Sequence, residues 1–226
     1  TQRIAGANRY ATAGQIAARY PSGVETVYVA TGLTYPDALA GAALAGSQEA
    51  PVLLTGGGGL PSATRAALTH LEPESIVVLG GTGSVSGEVM TALGAYTDGS
   101  VTRVSGTNRY ATAAEISTAY DSGVDTVYVA TGADYPDALS VSALAATQGA
   151  PILLTTPGNL PSATRGALTR LAPESIVVVG GEGAVSSTVL HQLEEYVDGP
   201  ADVSRLAGAN RYETARLVAQ RFPAGV

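Results

Sequence analysis

The chain has 226 residues, 45% of them hydrophobic and 14% charged, with a formal net charge of −7. That composition belongs to a folded protein with a well-buried core and excludes a disordered one. The negative balance argues against a nucleic-acid partner, whose phosphates require a basic face.

The absence of cysteine removes disulfides, thiolate nucleophiles and cysteine-ligated metals together. With eleven Tyr, one Phe and no Trp, small residues fill much of the interior, so elements approach closely. All twelve basic residues are arginine, so any anion contact is made by a planar, bidentate guanidinium. The longest apolar runs are strand-length, so no membrane span is expected. "TQRIAG" opens abruptly in a repeated phrase with no signal-peptide pattern, as expected of an internal piece of something longer.

In chain order, the first predicted element is a brief strand around Ile4, repeated around Val104 and Leu206. "GANRYATA" (6–13) follows, with Asn8 at a helix N-cap and Ala13, Ile16, Ala17 and Tyr20 forming one apolar stripe. "TVYVATG" (26–32) is a β-rich apolar run. In "YPDALAGAALAGS" (35–47), Pro36 suits a first helical turn and Asp37 suits the positive end of the helix dipole. Gly41 inside that helix costs up to about 1 kcal/mol relative to Ala, so something close must offset it: the sheet beneath or a second module. "APVLLT" (50–55) reads as a buried central strand. "LPSATRAALTHL" (60–71) is a helix with Pro61 at its first position, "SIVVLGG" (75–81) a strand, and "VSGEVMTALGAY" (85–96) the last helix. Continuous apolar strands alternating with helices give a parallel α/β sandwich, a Rossmann-like module with both faces of the sheet covered.

The pattern then repeats. A shift of one hundred residues superposes Tyr35-Pro36-Asp37-Ala38-Leu39 on Tyr135-Pro136-Asp137-Ala138-Leu139 and Leu60-Pro61-Ser62 on Leu160-Pro161-Ser162. "GTNRYATA" (106–113) and "GANRYETA" (208–215) repeat the opening phrase, and Ala215, Val218, Ala219 and Phe222 repeat its stripe. Glu213 stands three residues after Asn210, the spacing of a capping box. Residues 1–102 and 103–204 read as two repeats. Residues 205–226 either start a third or supply a strand and helix that complete the second module.

Chemistry-bearing motifs are few. "VVLGGTGSVS" (77–86) resembles a dinucleotide-binding turn only weakly, because Ser86 stands where the third Gly or Ala belongs and Glu182 occupies the second copy. His70 and His191 face Arg170 and Thr91 in the other repeat, which suits neither a general base nor a metal ligand. Asp37 and Asp137 lie at the carboxyl end of a strand, yet no second repeated carboxylate pairs with them, and the helix-dipole role outweighs a catalytic one. No catalytic residue, cofactor or metal site is expected. Arg9, Arg109 and Arg211 sit at helix N-termini, where positive charge is unfavourable. Each therefore needs a partner: a carboxylate such as Asp37, a neighbouring repeat, or a ligand.

The ordered set "GxNRYxTA", "VYVATGxxYPDAL", "AP[VI]LLT", "LPSATRxAL" and "PESIVVxGG", present in two copies, resembles the type-two cell wall-binding repeat of Gram-positive surface proteins. The resemblance covers essentially the whole chain. It implies non-catalytic, extracellular modules that anchor a surface protein to an anionic secondary wall polymer, with three repeats packed about a pseudo-threefold axis. It also implies that the "PILLT" segment contacts polymer, which here brings forward Leu53, Leu54, Thr55, Leu153, Leu154 and Thr155. Of these, the residues themselves leave only the Thr and the following loop free to touch it. A protein of net charge −7 needs local arginines for such a contact, and Arg9, Arg65, Arg109, Arg165 and Arg211 recur by repeat. Other repeats, in cis or in a homo-oligomer, are the further expected partners. The alternatives are an adhesive surface-layer repeat protein and, less favoured, a Rossmann-like enzyme.

Overall fold

A computed structural model describes residues 2–223; Thr1 and the last three positions of the 205–226 segment lie outside the described residues. The first part of the chain runs α1 (Arg9–Ala17), β1 (Thr26–Thr31), α2 (Pro36–Ser47), β2 (Val52–Thr55), α3 (Ser62–Leu71), β3 (Ser75–Leu79), α4 (Gly87–Leu93) and β4 (Val101–Val104). It continues α5 (Arg109–Ile116), β5 (Thr126–Thr131), α6 (Pro136–Thr147), β6 (Ile152–Thr155), α7 (Ser162–Leu171), β7 (Ser175–Val179), α8 (Ser187–Leu193), β8 (Val203–Leu206) and α9 (Arg211–Ala219).

The strands form two four-stranded sheets of order β2-β1-β3-β4 and β6-β5-β7-β8, and every pairing is parallel. This is the tandem α/β architecture expected from the alternating pattern. Period-2 alternation sends Val27 and Val29 of β1 to a core under α3 and α4. Tyr28 and Ala30 go to the opposite face, under α2. Both faces are dry, which is why the strands read as continuous apolar runs.

The order corrects one expectation: β2 and β6 are edge strands, not central ones. They are apolar because helices cover both faces, and face burial, unlike ladder position, is what hydrophobicity reports. A second correction concerns the brief strands. β4 pairs with β3 and β8 with β7, whereas no strand forms around Ile4. A four-residue strand needs a ladder neighbour. Val101–Val104 finds one in the sheet that precedes it in the chain, and residues 2–5 have no preceding sheet among the described residues.

The helix that follows β4, a strand handed over to the preceding sheet as β8 is, packs on the following module. α5 packs on α7 and β6 of the second module and also on α2 of the first; α9 packs on α6. This explains a departure from the predicted stripe. Ile116 is buried between two modules, while Ile16 on α1 is 48% exposed, because α1 packs chiefly on α3 and β2. Ala219 of the third stripe is likewise exposed.

Between the modules, α2 and α6 pack side by side within one apolar cluster to which both sheets contribute. Tyr35 and Tyr135 meet at one end with ring centroids 5.2 Å apart, and the Tyr35 hydroxyl donates to the Ala133 carbonyl at 3.1 Å. At the other end, a Cβ on Gly46 would lie 2.6 Å from the Ala146 Cβ. Small residues let the helices approach. Gly41 faces its own sheet instead, where a Cβ would collide with Leu79.

The recurring phrase is a strand-to-helix joint. Asn8 Oδ1 accepts from the Ala11 N–H, and Asn108 and Asn210 accept from two N–H groups each. Thr12, Thr112 and Thr214 each accept from the N–H of the phrase's glycine at 3.0 Å. A Cβ on Gly6 would lie 2.5 Å from the Ala11 backbone, so only glycine fits. Two details differ from expectation. Glu213 pairs with Arg216 at 2.6 Å instead of closing a capping box. Pro61 stands one residue before α3, at its N-cap, not inside it.

Candidate functional site

In the order β2-β1-β3-β4, successive connections leave β1 in opposite directions, so a crevice opens at the carboxyl ends of β1 and β3. That rim of each sheet carries the loop after β1, the loop after β2 and the glycine turn after β3. Gly80 and Gly180 take φ of +100° and +112°, conformations that disfavour any side chain. Their carbonyls turn toward the handover strand, where Gly80 accepts from Arg103 at 2.6 Å and Gly180 from Arg205 at 2.7 Å. Arg103 also donates to the Val85 carbonyl at 2.9 Å. Arg103 recurs with Arg3 under the hundred-residue shift, but neither it nor Arg205 stands among the site candidates of the sequence.

The sequence candidates distribute as follows. Arg9 and Arg109 donate to the carbonyls of Gly32 and Gly132, at the carboxyl ends of β1 and β5. Arg65 and Arg165 donate through Nε to the carbonyls of Leu60 and Leu160 at 2.9 and 3.0 Å. This fixes each planar head beside the loop after β2 or β6 and leaves its remaining N–H groups unassigned. Arg211 instead faces Asp134 across the second junction at 3.7 Å, an exposed pair of little energetic weight.

The "PILLT" residues do not join them. Leu53, Leu153 and Leu154 are buried, Leu54 is half-buried, and Thr55 and Thr155 have no exposed surface. This corrects the expectation that the Thr is free to touch polymer. The Thr55 hydroxyl donates to the Gly59 carbonyl at 3.3 Å, and that of Thr155 donates to the Asn159 carbonyl at 3.1 Å. Each Thr shapes the loop from beneath. The partly exposed loop residues 56–59, with Arg65, are what the rim presents.

A cleft of about 360 Å³ lies at the first module junction, where Thr34, Asp37 and Ser84 of one sheet's rim face Asn108 and Arg109 at the start of α5. Asp37 is 8% exposed. Burial holds its carboxyl above the usual carboxylate range, against the lowering pull of the Ser84 hydroxyl and the Arg109 charge. At the second junction Asp134 replaces Thr34 and Ala184 replaces Ser84. There Asp137 is raised by burial and by Asp134, with Arg211 pulling it down.

The position of His70 is structural, while His191 is exposed. His70 Nε2 lies 3.1 Å from the Tyr20 carbonyl, and Arg170 donates to the equivalent Tyr120 carbonyl at 2.9 Å. Both tether the end of a helix to the same loop, so exchange between His and Arg is tolerated. Among the described residues, no group of three or more His, Asp or Glu is placed to hold a metal ion. No described helix is long and apolar enough to cross a membrane.

The model of cell wall binding domain 2 matches residues 3–90 and 103–190, one match per repeat. The chain belongs to this family. Two solved structures share the arrangement: Cwp8 from Clostridium difficile, 32% identical with a TM-score of 0.87 over 98% of this chain and 38% of that one, and Cwp6 from Clostridium difficile, 28% identical with a TM-score of 0.86 over 97% and 35%. The N-acetylmuramoyl-L-alanine amidase LytC of Bacillus subtilis is 34% identical over 221 residues, 98% of this chain. The amidase enhancer of Bacillus subtilis is 34% identical over 97% of this chain. The chain spans 43% and 29% of those two proteins. What the relatives share with it is therefore a cell wall-binding module repeated in tandem.

Proposed function

We propose that the chain is a non-catalytic anchor, holding a surface or secreted protein to an anionic secondary polymer of the cell wall through the rims of its two modules. The observation that carries this reading is the repeated placement of Arg9 with Arg109 and of Arg65 with Arg165, each fixed by a backbone carbonyl. Among the described residues the ion pairs are Arg211 with Asp134 and Arg216 with Glu213. None of the other rim guanidinium groups forms an ion pair among the described residues, on a protein of net charge −7. A preorganised planar fork suits phosphate or carboxylate oxygens. Weak contacts repeated along a repetitive polymer add by avidity. The loops after β2 and β6 contribute backbone groups beside Arg65 and Arg165, while the leucines of "PILLT" act by holding the strand.

The test is Arg65→Ala with Arg165→Ala. Each charge-assisted contact is worth about 1.5–3 kcal/mol, so loss of two weakens sedimentation with purified walls roughly a hundredfold or more at low salt. Undiminished binding at low salt would remove those arginines from the contact.

A further inference from the structure

The two module junctions are built from the same repeated residues yet present different chemistry. At the second, Asp134 and Asp137 stand with Arg211, and Asp134 lies 3.7 Å from its guanidinium. At the first, the equivalent of Asp134 is the uncharged, exposed Thr34, and no acid lies within ion-pair distance of Arg109 among the described residues. Arg109 is steadied from the other side by the Gly132 carbonyl, so its outward N–H groups face the cleft.

Asp37 sharpens the contrast. It is more than nine-tenths buried in the cleft wall, without an ion pair among the described residues. An unpaired buried carboxylate costs stability. The Ser84 hydroxyl and the Arg109 charge offset only part of that cost, and the acid lines a cavity in which a ligand hydroxyl would meet a ready acceptor. The cleft, about 360 Å³, is open at the rim and falls in the usual range of about 300–1,000 Å³ for small-ligand pockets. A carboxylate acceptor and a guanidinium fork across it, with the Ser84 hydroxyl beside the acid, match a unit that carries both a hydroxyl and an acidic group.

We propose that the first junction cleft is a subsite for one anionic sugar unit, whose hydroxyl donates to Asp37 and whose phosphate or carboxylate is held by Arg109. The residue at positions 34 and 134 decides which junction is open. Thr34 leaves the first accessible, and Asp134 occupies the guanidinium of the second and repels an anion there. The subsite deepens the anchoring function proposed above and rests on it only for the source of the unit, a repeat of the wall polymer.

The test is titration of the isotope-labelled 226-residue chain with glucose 1-phosphate, followed by amide chemical shifts, with glucose and inorganic phosphate as separate arms. Saturable shifts are expected at Ser84 and at 106–109, at least tenfold weaker affinity for glucose or phosphate alone, and no matching shifts at 208–211. Thr34→Asp, a surface change that leaves other resonances in place, abolishes the response. Asp134→Thr creates a second set at 208–211. Equal response at both junctions, no response at the first, or indifference to Thr34→Asp would overturn the proposal. Sedimentation with walls separates the two readings: wild-type binding to walls without shifts at the first junction refutes the cleft and leaves the anchor standing. Shifts without sedimentation refute the anchor and support the cleft.

Discussion

Position 41 tests whether the two modules are variations on one packing scheme. In the first, Gly41 of α2 lies against Leu79 of β3; in the second, Val141 and Val179 occupy the same places. Gly41, Leu79, Val141 and Val179 are all buried. The helix is larger where the strand is smaller. Gly41→Val alone drives a branched side chain into Leu79, at an overpacking cost of about 1–3 kcal/mol, offset by a few tenths from better helix propensity. Leu79→Val alone removes one methylene and leaves a small void, a loss of about 0.5–1.5 kcal/mol judged by similar core truncations. Together they recreate the second module's pair, so the double variant is expected within about 1 kcal/mol of wild type. The coupling energy is then about 1–3 kcal/mol and favourable, a size seen for residues in contact. Urea unfolding of the four proteins, compared at constant m, measures it. Additivity within about 0.5 kcal/mol would refute the claim that these two positions exchange volume.

Asp37 and Asp137 have carboxyl groups raised above the ordinary value of 3.8 by burial. The stability linked to them is fully present below that value and is lost as pH rises through the folded value. Asp37→Asn should therefore raise the melting temperature at pH 7, by about 2–4 °C per kcal/mol recovered, and the gain should vanish below pH 3.8; a constant gain at all pH values would contradict the assignment. The Tyr120 hydroxyl is buried without a hydrogen-bond partner among the described residues; the nearby Ser47 hydroxyl, which donates to the Leu44 carbonyl at 2.8 Å, lowers its pKa by less than burial raises it. Burial pushes its pKa to about 12. Tyr120→Phe removes the orphan group and should stabilise the chain by about 1 kcal/mol in urea melts; a loss of similar size would mean that the hydroxyl is satisfied.

Much of the fold was legible because its causes are local and repeated. The Asn caps and Pro36 at the start of α2 follow from backbone chemistry within a few residues. Duplication turned each weak signal into two. Ladder position was not legible: Val52–Thr55 is as apolar as a central strand because helices cover its faces, and nothing in four residues reports which edge is free. Nor was the pairing of β4 with the preceding sheet visible, since it depends on a crossover that no local pattern encodes; for β8 it was one of the two alternatives that the 205–226 segment left open. Ile16 misled for the same reason, its face waiting on a neighbour that Ile116 has. For the site, the arginines were recoverable by recurrence, but their partners are carbonyl groups, which carry no side-chain signature. The cleft was hidden because Thr34, Asp37 and Arg109 converge only at a module junction. There, the substitution of Thr34 by Asp134 between repeats was the clue.

The most direct test of the anchoring account is cosedimentation of the purified chain with intact Gram-positive walls, and with the same walls stripped of secondary polymer, across a salt series. The account requires binding to intact walls that weakens as salt rises and disappears on stripping. Equal binding to stripped walls, or binding indifferent to salt, would contradict a guanidinium-to-polyanion grip.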